Sequence, residues 1–450
     1  MRISRPTMLC SALLLASCAS AGGPAALRDA PVSVCKAEPV RVASLEGVTS
    51  MHEDLKTWLQ AVPAGAAGQV LLSGEEIAAL NRKNRQHAWG HQDVLANEVV
   101  EANRVASELG ERFDWLAERL KSGKYVEDTP GTLSAARRIT EGSSHVLEAR
   151  VVAVETDLRC VPSHQGFYTP PVDRDFDRNQ CSRLHLGEVV RVLRVSEDGA
   201  WRYVHAGHSV GWVHGAVLTP ALLVEEALAF RAPPRHIVVT ADGVQVPGGA
   251  ALRMGTALPL TRESQDAYTV IVPTTNGLVE TPLPRGPELH IGHLPFTRSH
   301  VWRLALSTLG DPYGWGERGG ARDCSRLLLD VFRAFGIELG RHSLAQAGSG
   351  SRTVELKGLE PAAKLEAIRE AARDNVVFLY MSGHILLYLG ELGGAPFAIS
   401  AISEFVTPCE GAGDRVSRLD KTAVSGLELG AGTERTSFLE RMSRLAVFGR

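Results

Sequence analysis

The sequence predicts an α+β protein built from several small domains, and three observations carry that reading. Helical periodicity dominates residues 58–140, short strands broken by glycine and aspartate fill the middle, and an amphipathic helix followed by apolar strands fills the C-terminal part. At 450 residues the chain is too long for a single core. Its 44% hydrophobic and 22% charged residues are ordinary for a globular protein. A net charge of −3, without a basic stripe interleaved with aromatics, gives no reason to expect a nucleic-acid partner.

Arg2 and Arg5 precede the apolar run MLCSALLLAS, which is too short to span a membrane. The run ends Leu15-Ala16-Ser17-Cys18, which resembles the lipobox of a bacterial lipoprotein. That resemblance implies a signal peptide over residues 1–18 and lipidation, palmitate included, of Cys18. Because Ala19 is not aspartate, it also implies an outer-membrane anchor facing the periplasm. Residues 19–57, rich in Ala, Gly, Pro and Val, suit a tether. In the helical segment 58–140, Ser73 and Glu76 form a capping-box pattern at the start of one helix.

Residues 141–220 alternate short strands with turns such as Asp198-Gly199, and Trp201 and Gly211-Trp212-Val213 mark strand positions. This resembles a bacterial SH3-like barrel, and residues 235–290 repeat the rhythm as a second one. Loop histidines in these barrels (His205, His208, His214, His290, His293) lack the ligand pattern of a metal site, so none is expected. Setting aside Cys10, Cys18 and Cys324, four cysteines remain: Cys35, Cys160, Cys181 and Cys409. They allow three pairings, of which Cys160–Cys181 closes a loop inside one domain.

Residues 291–450 are organised around one stretch. A helix over residues 293–310 is expected to lead into DPYGWGERGGARDCS, residues 311–325. The run RLLLDVFRAFGIEL follows, in which Leu328, Val331, Phe332 and Phe335 share one helical face and Gly336 suits a C-terminal stop. Asp323 takes the N-cap position, so Cys324 falls in the first turn. Exposed N–H groups and the macrodipole there favour an anion, and a lowered thiol pKa is expected. Glycines around Tyr313 and Trp315 let a substrate backbone approach the sulfur. Farther on, NVVFLY and HILLYLG read as two strands, with His384 opening the second. A cysteine at a helix start with a histidine on a later strand is the arrangement in which imidazole activates thiol. If the next hairpin turns near Gly393, residues opposite His384 fall near 400–402, where Ser400 stands ready to orient the imidazole.

PYGWG, RDCS, GIEL-x-RHS and HILLYLG together resemble the NlpC-type family of papain-like cysteine peptidases. The helical segment resembles the N-terminal stabilising domain that precedes some of its members. The resemblance implies hydrolysis of the bond between D-glutamate and the diamino acid in peptidoglycan stem peptides or muropeptides, without a cofactor. Cys324 would be nucleophile, His384 general base, and Ser400 the third member, where the family usually has His, an amide or an acid. Asp323, Ser325, Tyr313 and Trp315 would line the substrate site. Tyr168 of the first barrel would recognise a free L-Ala amine. Arg326 replaces the family's usual glycine and is expected to crowd or charge the cleft, while Gly340 and His342 replace Pro and Asn. Two other readings remain: a silent peptidoglycan-binding lipoprotein, or an acyltransferase using the same pair.

Overall fold

The computed structural model of the chain describes residues 39–86, 90–96, 102–409 and 413–450. The signal-peptide and lipid-anchor expectations, Cys18 included, lie outside those residues. Among the described residues no helix is long and apolar enough to cross a membrane.

The N-terminal segment is mainly helical, with helices Leu55–Gln60, Gly74–Asn84, Ala102–Lys121 and Thr132–Glu141. The capping box forms: Glu76 N–H donates to Ser73 Oγ at 3.2 Å, and Ser73 N–H donates to the Glu76 carboxylate at 2.7 Å. The segment is fastened to the C-terminal domain. Strand Val70–Leu72 pairs antiparallel with Phe296–Thr297, and Asn81 bonds both Gly336 O and Glu338 N–H. That pairing shortens the helix expected over residues 293–310 to Arg298–Leu306. Pro295 lacks an N–H, the two residues after it are drawn into the strand pair, and Thr297 caps the helix by accepting from His300 N–H at 3.2 Å.

The first barrel is a six-stranded sheet ordered Ser144–Val151, Val189–Val195, Trp201–His205, Val210–His214, Thr156–Arg159 and Gln180–Leu184. Cys160 and Cys181 are disulfide-bonded across its edge. Cys409 is disulfide-bonded as well, while Cys35 lies outside the described residues. A second β unit holds the sheet Gly277–Pro284, Ala267–Thr274, Ala257–Glu263, His236–Val239 and Leu289–Ile291, around its own apolar core.

The C-terminal domain is a seven-stranded sheet ordered Val40–Arg41, Asp414–Gly426, Ala395–Pro408, His384–Leu392, Val376–Met381, Arg444–Phe448 and Arg352–Glu355. Helix Cys324–Arg333 lies on it through Leu327, Leu328, Val331 and Phe332. Phe332 meets Phe378 and Phe448 edge-on at 4.6 and 4.8 Å, an arrangement that adds to simple burial. The helix is one residue shorter than the apolar pattern suggests. Ala334 is its C-cap, and Gly336, at φ 74°, follows two residues later.

Candidate active site

Cys324 occupies the first turn of its helix, and Asp323 builds that turn. The Asp323 carboxylate accepts from Arg326 N–H at 2.8 Å, from Ser325 Oγ–H at 3.0 Å and from Gly316 N–H at 3.2 Å. Arg341 grips both of its oxygens, at 3.0 and 2.6 Å. Burial opposes the Asp323 charge, but the Arg341 guanidinium holds the carboxyl below its usual range. A sequence reading passes over Arg341, although it stands in the quoted RHS motif.

The thiol does not follow the expectation from the helix start. Cys324 is 7% exposed, and burial, with the Asp323 carboxylate adding to it, pushes its pKa up to about 12. N–H groups of Ile385 and Ser325 act in the opposite direction and lose. His384 is driven the other way: burial, aided by the Arg441 cation, lowers its imidazole to about 4. Both groups therefore rest neutral near pH 7. The helix-terminus effect is of order 1 kcal/mol, which desolvation of a buried charge outweighs.

His384 opens its strand after a two-residue turn, Ser382-Gly383, with Gly383 at φ 81°. Its Nε2 lies 3.0 Å from Ser400 Oγ. A bulge makes this meeting possible. The hairpin closes through Gly393-Gly394, both at positive φ, with Leu392 opposite Ala395. Pairing slips by one residue between Tyr388 and Gly390, so Leu387 faces Ile399. Continued, that register puts Ser400 on the face of His384; an unbulged hairpin would put Ala401 there.

Tyr313 of the glycine-rich stretch neighbours the thiol, and Trp315 follows it two residues on. The Tyr313 hydroxyl is bonded to Ser403, and burial, then the neighbouring Asp323 and Cys324, push its pKa far up. Ser403 stands at a second slip in strand pairing, between Ile402 and Glu404. The first-barrel aromatic that meets these rings is Phe176, 6.5 Å from Tyr313 and 5.7 Å from Trp315. Tyr168 does not take that place. It is buried in strand Phe167–Tyr168, beneath the guanidinium of Arg174.

Arg326 also departs from expectation. Two residues turn a helix by about 200°, so Arg326 points away from Cys324 and the cleft. It is fully buried against the first barrel, bonding Asp330 at 2.7 Å, Glu317 at 2.8 Å, Arg183 O at 3.0 Å and His185 at 2.6 Å. Arg322 grips the other Asp330 oxygen at 2.8 Å and reaches Asp242, beside the second β unit, at 2.6 Å. His185, Glu317 and Asp330 are grouped closely enough to hold a metal ion. Their negative charge is already matched by the Arg326 and Arg322 guanidiniums. Glu317 is held at φ 68° inside this network, a strained conformation for a side-chain-bearing residue.

A helix-borne thiol on an antiparallel sheet, with an imidazole on the adjoining strand, defines the papain-like α+β class. Residues 310–396 match the NlpC/P60 family, and residues 166–214 match an SH3 domain of the SH3b1 type. The chain thus carries an NlpC/P60 domain behind an SH3 domain, and that family typically comprises cell-wall peptidases. A solved NlpC/P60 endopeptidase from Photobacterium damselae subsp. piscicida is 15% identical, with a TM-score of 0.74 over 91% of this chain and 99% of that one. An NlpC/P60 family protein from Bacillus cereus ATCC 10987 is 17% identical, with a TM-score of 0.45 over 67% and 100%. No curated protein matches the chain.

Proposed function

We propose that the protein is a cysteine peptidase that hydrolyses the γ-D-glutamyl–diamino acid bond of peptidoglycan stem peptides. The observation that carries this is the convergence of three groups. The Cys324 sulfur accepts from Ile385 N–H, the residue after His384, and His384 in turn bonds Ser400. With Nε2 engaged by Ser400, Nδ1 is the ring nitrogen that takes the thiol proton as sulfur attacks the γ-carbonyl carbon. The oxyanion forms beside the Cys324 N–H at the helix start. Protonated His384 then gives its proton to the leaving amine, the C–N bond breaks, and a thioester remains. Water, deprotonated by His384, attacks the thioester and releases the D-glutamyl acid and the thiol. Ser400 orients the ring without a charge to stabilise the imidazolium, which makes for slow turnover. Asp323 and Ser325 shape the helix start, and Tyr313 and Trp315 line the cleft. The Leu15-Ala16-Ser17-Cys18 run supports an outer-membrane anchor facing the periplasm.

The burial and neutral resting state of Cys324 favour a second reading, a peptidoglycan-binding lipoprotein with little or no turnover. Defined muropeptides incubated with wild type and with Cys324→Ala, with and without an added amine, separate the readings by mass spectrometry. A free D-glutamyl product only with wild type supports the peptidase, and an amide product identifies an acyltransferase. Identical spectra from both proteins leave the silent binder.

A further inference from the structure

The first barrel lays an arginine on Trp315 of the glycine-rich stretch, with no anionic partner of its own. Arg178 lies with its guanidinium carbon 4.5 Å from the centre of the Trp315 ring, two residues along the chain from Phe176. Its Nε and Nη1 are shut off from solvent and make no hydrogen bond. The two carboxylates that act on it are committed elsewhere. Asp177 accepts from Arg159 at 2.8 Å and from the N–H groups of Phe167 and Asn179 at 3.2 and 2.8 Å. Asp173 accepts from Arg418 at 2.6 Å. Phe176 meets Trp315 at 5.7 Å and Tyr313 at 6.5 Å, so Arg178 sits at one end of a row of rings that runs to Tyr313. Stacking on Trp315 holds the planar fork in place but leaves its N–H donors unsatisfied, a costly state for a buried cation.

We propose that Arg178 is a specificity-determining residue that binds a free carboxylate of the stem peptide. This rests on the peptidase reading above. The chemistry fits that substrate: D-glutamate joined through its γ-carbonyl keeps its α-carboxylate close to the scissile bond, and the diamino acid carries a carboxylate on the other side. A guanidinium cation pairs with a carboxylate through a charge-assisted hydrogen bond, whereas a carboxamide carries no charge to match it. The residue would therefore select acid over amidated stem peptides.

Isothermal titration calorimetry on Cys324→Ala protein tests this without turnover. The probes are L-Ala-γ-D-Glu-diaminopimelate, the same peptide amidated at the D-Glu α-carboxyl, and the same peptide amidated at the α-carboxyl of the diamino acid. One amidation is expected to weaken binding about tenfold or more, and the position that does so identifies the carboxylate. Adding Arg178→Gln should bring acid and amide forms to equal affinity, while Arg178→Lys should keep part of the preference. Circular dichroism checks the fold of each variant, and Arg178→Lys serves alone if Arg178→Gln fails to fold. Equal affinities for all three peptides in the Cys324→Ala protein would overturn the proposal. So would discrimination that survives Arg178→Gln, or no binding at all. Discrimination in binding without hydrolysis by wild type would sink the peptidase reading and keep the subsite. Hydrolysis with the same KM for acid and amide forms would do the reverse.

Discussion

Charge is disfavoured on both Cys324 and His384 in the resting protein, so in the proposed mechanism proton transfer between them waits for substrate. At pH 7 iodoacetamide should label Cys324 more slowly than a free thiol, because the thiolate fraction is small when the pKa is about 12. Labelling at or above the rate of a free thiol would contradict the burial argument. A general base acts in its neutral form, and His384 becomes neutral above about 4. The acid limb of kcat/KM should therefore lie near pH 4, well below the ordinary histidine range near about 6.5. The Ser400 hydroxyl supplies one uncharged hydrogen bond to the ring. Ser400→Ala should lower kcat/KM about five- to tenfold, the effect of a bond of about 1 kcal/mol. An unchanged kcat/KM would show that Ser400 orients nothing. The positions of Cys324 at the helix start and His384 at the strand start are legible in the sequence because they rest on helix capping and strand order, which are local. Their pKa values are not, because burial depends on how distant segments close over them.

Helix Cys324–Arg333 has two working faces, and only one declares itself in the sequence. The apolar stripe through Leu328, Val331 and Phe332 announces the side that meets the sheet. Arg326, expected to crowd or charge the cleft, and Asp330, four residues on, are instead both fully buried, and the first barrel meets Arg326 through Arg183 and His185. Arg326→Ala would strand the buried Glu317 and leave Asp330 with Arg322 alone, so urea melts should show a loss of about 3–5 kcal/mol. Arg326→Met with Glu317→Gln, which removes both charges of that pair and leaves Asp330 with Arg322, should lose less. If Arg326→Ala melted like wild type, the pairing would not be the tie that it looks. The bulge before Gly390 was equally hidden: the turn and strands can be read, but the one-residue slip that selects Ser400 over Ala401 cannot.

Across the whole molecule, buried ionisable groups join the barrels to the catalytic domain and set its response to acid. His91, His205, His293, His342 and His384 are each lowered to about 4, chiefly by burial. A histidine with a depressed folded pKa binds its proton preferentially in the unfolded chain. Stability should therefore fall as pH drops from about 6.5 towards 4. Glu188 and Asp330 are held far below the ordinary range; burial opposes this, but Arg333 acts on Glu188 and Arg326 on Asp330. Their contribution is complete above the unfolded value of about 4 and is lost as pH falls below it. Thermal melts should thus decline in two stages below pH 7, and a flat Tm from pH 7 to 4 would contradict the linkage. The Cys160–Cys181 bond closes a loop of 21 residues, and Cys160→Ser with Cys181→Ser should cost about 3 kcal/mol. Domain order was legible from strand rhythm and helical periodicity, each confined to one segment. The contacts between domains, Arg178 on Trp315 and Arg326 on the first barrel, join residues more than a hundred positions apart, and no local pattern encodes them.

In the proposed reaction Cys324, His384 and Ser400 together cleave the γ-D-glutamyl–diamino acid bond. The most direct measurement is the rate of diaminopimelate release from L-Ala-γ-D-Glu-diaminopimelate by wild type, Cys324→Ala, His384→Ala and Ser400→Ala. Slow release is expected from wild type, a smaller rate from Ser400→Ala, and none above background from the other two. Release by wild type no faster than by Cys324→Ala would contradict that reaction.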